Sequence, residues 1–225
     1  MAASDSTNVP QLIRITDDNA RAGAIDPTAN LANHKIWMFS GTADSVVRQP
    51  VMNDLLTYYQ HYVSQANISY KKEIAAEHAM PTDSYGNTCP TKGNPYINNC
   101  HYDAADELLQ AIYGSDLNPK NTGKLSGSFI EFDQSEFLQN PNGHSLANTG
   151  WLYVPASCAK GQACKLHVVF HGCKQYPSYS YFVLGSGMKT FGTTYVKNTG
   201  YNPWADTNNL IVLYPQAFNG TGNPN

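Results

Sequence analysis

The chain has 225 residues, 41% hydrophobic and 14% charged, enough to bury a substantial core and a length that fits one domain. Its formal net charge of −3 gives no electrostatic ground for a nucleic-acid partner or an anionic membrane surface. No run of 18 apolar residues is present to cross a bilayer.

Residues 1–33 are polar and weakly patterned, and are expected to be irregular. Within them Met1–Pro10 has neither the basic start nor the apolar stretch of a secretory leader. His34–Gly41 reads as a buried strand, and the Thr42–Val47 loop leaves its carboxyl end. Pro50 to Gln65 predicts an amphipathic helix, with proline suited to the first turn and Val51, Leu55 and Tyr59 at helical spacing. Asn67 to Ile74 alternates as a strand, and Glu77–Asp83 opens another loop. A second helix is predicted over Tyr102–Tyr113, stopped by Gly114. Strands follow at Leu125–Asp133, Gly150–Pro155 and Lys165–Phe170, the last running into His171-Gly172-Cys173. Residues 176–192 are rich in Tyr, Ser and Gly and read as a loop with at most partial helix. Thr193 to Asp206 reads as helical with an interruption at 200–203, and Leu210–Tyr214 as a strand. Apolar strands of the parallel type alternating with helices give an α/β fold class, with no internal repeat and no linker.

Two of these loops carry chemistry. Asp44 follows one strand and His78 follows the next, and side chains at the carboxyl ends of neighbouring strands converge over the edge of an open α/β sheet. An Asp there can orient a His, and the His can then take a proton from a hydroxyl. Taken singly, each residue has a plainer reading, Asp44 as a turn residue and His78 as a loop histidine. The third loop, His171-Gly172-Cys173, turns sharply after a buried strand and leaves backbone amides at the sheet edge.

The five cysteines point to an oxidising compartment. Cys89 and Cys100 bracket one short loop, and Cys158 and Cys164 another. Their spacing favours disulfides over a four-thiolate zinc site, because neither pair is C-x-x-C. Cys173 is left single.

Several long strings resemble extracellular poly(3-hydroxybutyrate) depolymerases. They are Gly41-Thr-Ala-Asp44-Ser-Val-Val, His78-Ala-Met-Pro81-Thr-Asp83, Thr149-Gly-Trp-Leu-Tyr-Val-Pro155, Leu166-His-Val-Val-Phe-His-Gly-Cys-Lys-Gln175 and the stretch from Asn198 to Gln216. The resemblance spans roughly residues 34 to 217, and the order of its motifs matches the circularly permuted branch. It implies an α/β-hydrolase-like three-layer sandwich over 34–225. It also implies Asp44 as triad acid, His78 as general base and the amide of Cys173 as an oxyanion donor. Trp151, Tyr153 and Tyr176 are candidates for apolar contact with polymer, although aromatics in strands are more often core, and Trp151 above all. The implied substrate is a polyester or an oligomeric hydroxyalkanoate, cleaved without metal or organic cofactor, by an extracellular or periplasmic protein.

One part of the family pattern is missing. Its nucleophile elbow reads Gly-x-Ser-x-Gly, and the only glycines four apart here, Gly123 and Gly127, flank Leu125. Ser45 and Ser186 lack an elbow context. The expected fold therefore lacks the elbow strand, which would leave strands 166–170 and 35–40 with open edges. The chain also stops where the family continues into a cysteine-containing segment, the expected source of a partner for Cys173. On this reading the chain is inactive alone. The alternatives are a non-catalytic polymer-binding module and a fragment of a feruloyl- or acetylxylan-type esterase.

Overall fold

The computed structural model describes residues 7–218, so the ends of the two expected ranges, 1–6 and 219–225, lie outside the described residues. The chain divides into two compact units. The first contains residues 1–79, 88–92 and 107–115; the second contains 80–87, 93–106 and 116–225.

In the first unit, helix α1 (Val9–Arg21) corrects the expectation that residues 1–33 are irregular. The Asn8 side chain caps it by accepting from the Gln11 amide at 3.0 Å, and Pro10 sits in its first turn. Val9 is buried, while Leu12 and Ile15 are exposed. Polar contacts also hold the helix to α2 (Gln49–Tyr62). Thr16 Oγ1 lies 2.6 Å from the Tyr58 hydroxyl, and the Tyr62 hydroxyl lies 3.0 Å from Asp17 Oδ1. Burial, then the bond to Asp17, push the Tyr62 phenol up to about 12. Strand β1 (Ile36–Phe39), α2 and β2 (Ile68–Lys71) form a parallel β-α-β unit with Ile36 opposite Ile68. Met38, Val63 and Ile68 make its core, with Leu56, Tyr59 and Tyr70 packed around them.

Strands β3 (Met80–Thr82) and β5 (Ile97–Asn99) pair in parallel, with the two-residue β4 (Asn87–Thr88) beside β5. Helix α3 covers Ala104–Tyr113, close to the expected span. The main sheet of the second unit has the order β6-β7-β11-β8: Ser128–Asp133, Thr149–Val154, Leu210–Tyr214 and Lys165–Val168. It is mixed, not parallel as the apolar strands suggested. β6 and β11 run antiparallel to β7, and only β8 is parallel to β11.

Cross-strand register places Phe129, Tyr153, Val212 and His167 on one face of this sheet. Helices α5 (Thr194–Asn198) and α6 (Tyr201–Thr207) pack there, separated where Gly200 adopts φ 89°. The rings of His167 and Tyr201 lie 5.5 Å apart, and the Tyr214 hydroxyl donates to Asn202 Oδ1 at 2.8 Å. The opposite face carries Ile130, Leu152, Leu213 and Val168 in one row. On β8, the last strand in the order, alternation is plain: His167 and Val169 are buried while Leu166 and Val168 are 57% and 41% exposed, and Phe170 beyond them 72%.

Residues 176–192, expected as a loop, contain an antiparallel hairpin, β9 (Ser180–Val183) with β10 (Gly187–Thr190). Gly185 and Gly187 turn it with positive φ. Tyr and Ser there serve a short strand pair with one exposed apolar side, Phe182, Leu184 and Met188. Cys158 and Cys164 form a disulfide that closes the turn around α4 (Ala156–Ala159), and Cys89 and Cys100 are disulfide-bonded as well. Cys173 is a free, exposed thiol. No helix among the described residues is long and apolar enough to cross a membrane.

Candidate active site

Asp44 and His78 meet at the carboxyl end of the β1–β2 pair, within the first unit. The β1–β2 ladder continues past both strands: the Ser40 amide donates to the Lys71 carbonyl at 3.0 Å and the Thr42 amide to Ile74 at 2.8 Å. Between these bonds the backbone closes up so far that a Cβ on Gly41 would stand 2.0 Å from the Ala76 carbonyl oxygen. Only glycine allows the acid loop to lie against the residues just ahead of His78.

The loop then turns on Asp44 itself. Its Oδ1 accepts the amides of Val46 and Val47, each at 2.8 Å, in an Asx arrangement that fixes the carboxylate. The second oxygen, Oδ2, lies 3.0 Å from His78 Nδ1. The Asp44 side chain is 11% exposed and that of His78 is 44% exposed, so a sheltered acid holds a reachable imidazole. A carboxylate opposite Nδ1 assigns the ring proton to that nitrogen. Nε2 is then the lone-pair nitrogen, and it takes no hydrogen bond among the described residues. This arrangement can accept a proton from an alcohol and stabilise the resulting imidazolium.

Glu77, to which the sequence assigned no role, sits beneath the pair. Its Oε1 accepts the Ser45 amide at 3.2 Å and also the Ser45 hydroxyl, while Oε2 accepts the His78 amide. Lys92 Nζ lies 3.2 Å from Ser45 Oγ. Burial alone would raise the Glu77 carboxyl, but hydrogen bonds from Ser45 and from the His78 amide, with the Lys92 charge, hold it below the ordinary value. The Ser45 hydroxyl is therefore engaged by Glu77. Ser186 lies in the β9–β10 turn, its amide bonded to Val183. A cleft of about 390 Å³ along Gly41–Pro50 is lined by Asp44, Ser45 and Arg48 but not by His78.

In the second unit, the turn after β8 is anchored without use of the Cys173 amide. The Gly172 amide donates to Gln175 Oε1 at 2.8 Å, and buried Gln175 donates in turn to the carbonyls of Pro95 and Tyr96. His171 Nε2 accepts the Ala217 amide at 3.0 Å, so its Nδ1 carries the proton given to the Gly172 carbonyl.

Two of the proposed polymer contacts are corrected. Tyr153 is 0% exposed, and its hydroxyl donates to Asp206, which also binds Ser126 and the Gly127 amide. Tyr176 is buried, with its ring edge against Tyr179 at 5.6 Å. Both serve the core, Tyr153 from the helix-covered face of the sheet and Tyr176 from the segment between β8 and β9. Trp151 is half-buried opposite Tyr214.

No family model matches the chain. Two curated proteins do. A poly(3-hydroxybutyrate) depolymerase of Delftia acidovorans is 50% identical over 226 residues, covering 99% of this chain and 43% of that protein. A polyhydroxybutyrate depolymerase of Talaromyces funiculosus is 46% identical over 198 residues, 86% of this chain and 54% of that one. The chain thus spans about half the length of the curated relatives it matches. The crystal structure of the depolymerase from Penicillium funiculosum superposes with a TM-score of 0.78 at 42% identity, over 91% of this chain and 62% of that one. A second solved structure, a serine-to-alanine depolymerase variant complexed with an R3HB trimer, gives the same TM-score at 43% identity and the same coverage of both chains.

Proposed function

We propose, on the premise that this chain belongs with the poly(3-hydroxybutyrate) depolymerases along the length it shares with them, that it supplies the acid–base half of an ester hydrolase acting on 3-hydroxybutyrate polyester. The 3.0 Å bond between Asp44 Oδ2 and His78 Nδ1 carries this reading. His78 Nε2 takes the proton of an alcohol as its oxygen attacks the ester carbonyl. The proton then passes to the departing hydroxyl of the next 3-hydroxybutyrate unit, leaving an acyl-enzyme. Water, deprotonated by the same nitrogen, hydrolyses that ester and restores the alcohol.

The alcohol comes from polypeptide other than these 225 residues, in a circularly permuted three-layer hydrolase fold whose elbow strand is likewise not among them. The absence of Gly-x-Ser-x-Gly, the commitment of Ser45 to Glu77 and the apolar exposure along the edge strand β8 support this. The two disulfide pairs fit an extracellular or periplasmic protein. Intact-mass analysis after fluorophosphonate treatment tests the assignment of the nucleophile. The account expects no adduct, and no cleavage of a 3-hydroxybutyrate trimer by this chain alone; stoichiometric labelling of one of its serines contradicts it.

A second reading, a polymer-binding module, is favoured by one feature, the exposed Phe182, Leu184 and Met188 of the β9–β10 hairpin. Retention on polyester granules that is lost in Phe182→Ser/Leu184→Ser, without hydrolysis in any form, would favour it.

A further inference from the structure

We propose that Glu77 is a positioning residue, a single carboxylate that braces the backbone on both sides of the Asp44–His78 hydrogen bond. The inference rests on the acid–base reading above and deepens it.

Glu77 is 7% exposed and spends both oxygens on the two loops that carry the pair. One oxygen takes the amide and hydroxyl of Ser45, the residue after the acid; the other takes the amide of the base itself. Its own amide donates to the Cys89 carbonyl at 3.1 Å, so the brace is anchored from behind. The division of labour is specific. Val46 and Val47 fix the Asp44 carboxylate from within its own loop, and they say nothing about where the imidazole stands. The Glu77 carboxylate is the side chain that ties the acid's loop to the base's backbone across a sequence separation of 32. Replacing it with an amide turns an all-acceptor group into one that sets an NH2 against the donors of Ser45 or His78.

The test reads the ring itself. Imidazole 15N shifts of His78 in the 225-residue chain report which nitrogen holds the proton, a property that a merely structural residue leaves alone. The Nδ1-protonated form is expected to dominate in the parent chain. In Glu77→Gln the Nε2-protonated share should rise about tenfold, because the lost brace removes the order of one buried hydrogen bond. Backbone amide dispersion elsewhere should be unchanged. Ser45→Ala deletes the hydroxyl's contacts with Glu77 and Lys92, keeps both amide bonds to the Glu77 carboxylate, and should shift the ring less in the same direction. If Glu77→Gln does not fold, Ser45→Ala decides. An unchanged ring in the folded variants overturns the positioning role. Asp44→Asn separates the two levels: a ring indifferent to that change sinks the acid–base reading, whereas a ring that answers to Asp44→Asn but not to Glu77 or Ser45 sinks only the brace.

Discussion

Around Asp44 and His78, nearly every polar atom has a partner. Two amides and an imidazole meet one carboxylate, and an amide pair and a hydroxyl meet another. Along β8 the opposite holds, because Leu166, Val168 and Phe170 stand in solvent on the face of the sheet that α5 and α6 do not cover. One region is finished within the chain, and the other presents apolar surface of the kind proteins normally bury against another layer. The contrast teaches where to look for the chemistry that the pair alone cannot perform. The paired acid and imidazole are assembled from local strand–loop geometry.

The contrast can be broken at its finished end first. Asp44→Asn keeps the size of the side chain but leaves His78 Nδ1 without its carboxylate, and in a catalytically competent form it should reduce kcat/KM for ester cleavage by ~10⁴-fold. Steady-state kinetics on a 3-hydroxybutyrate oligomer check this. Gly41→Ala places a methyl group against the Ala76 carbonyl oxygen, and is expected to destabilise the first unit by about 3 kcal/mol, read from denaturant unfolding.

Within the second unit, the two faces of one sheet give the sharper comparison. Val212→Ala on the helix-covered face should lose about 2 kcal/mol, whereas Phe170→Ala should stay within about 0.5 kcal/mol. Phe170→Ser combined with Leu166→Ser should reduce self-association seen by light scattering without lowering the melting temperature. Equal costs on both faces would mean that the outer face is covered.

The smallest effect is on acid stability. Burial would raise Asp206, but the Ser126 amide, the Tyr153 hydroxyl and Asn121 together bring it down to about 2. A carboxyl lowered on folding contributes stability that is fully present above its unfolded value of about 4 and is lost as pH falls toward 2. Asp206→Asn should flatten that limb of the stability–pH curve between about 4 and 2, and leave the neutral-pH ring tautomer of His78 unchanged.

Much of this was legible in the sequence, for identifiable reasons. β1, α2, β2 and β11 follow apolar periodicity with turn signals at their ends, and the matched strings raised Asp44 and His78 above ordinary loop residues. Helix α1 escaped because its apolar side is short, with Val9 buried but Leu12 and Ile15 exposed, and Thr16 and Asp17 add polar docking to α2. The β9–β10 hairpin escaped because its Tyr, Ser and Gly composition reads as a loop. Tyr153 and Tyr176 turn out buried because residue type alone does not say which aromatic side chains the fold covers. Glu77 was in view, next to His78, yet its role depends on a contact with Ser45 that no local pattern encodes. A glycine at 41 ahead of Asp44, and an acid immediately before the histidine, were the available signals.

The central claim is that Asp44 and His78 serve ester cleavage once an alcohol is supplied, and a chimera tests it most directly. This chain would replace the matching 226 residues of the Delftia acidovorans depolymerase, and release of 3-hydroxybutyrate units from the trimer would be measured with and without His78→Ala. The account predicts turnover by the chimera and its loss by about 10³-fold or more in His78→Ala. A folded chimera that cleaves the trimer equally well without the imidazole would contradict it.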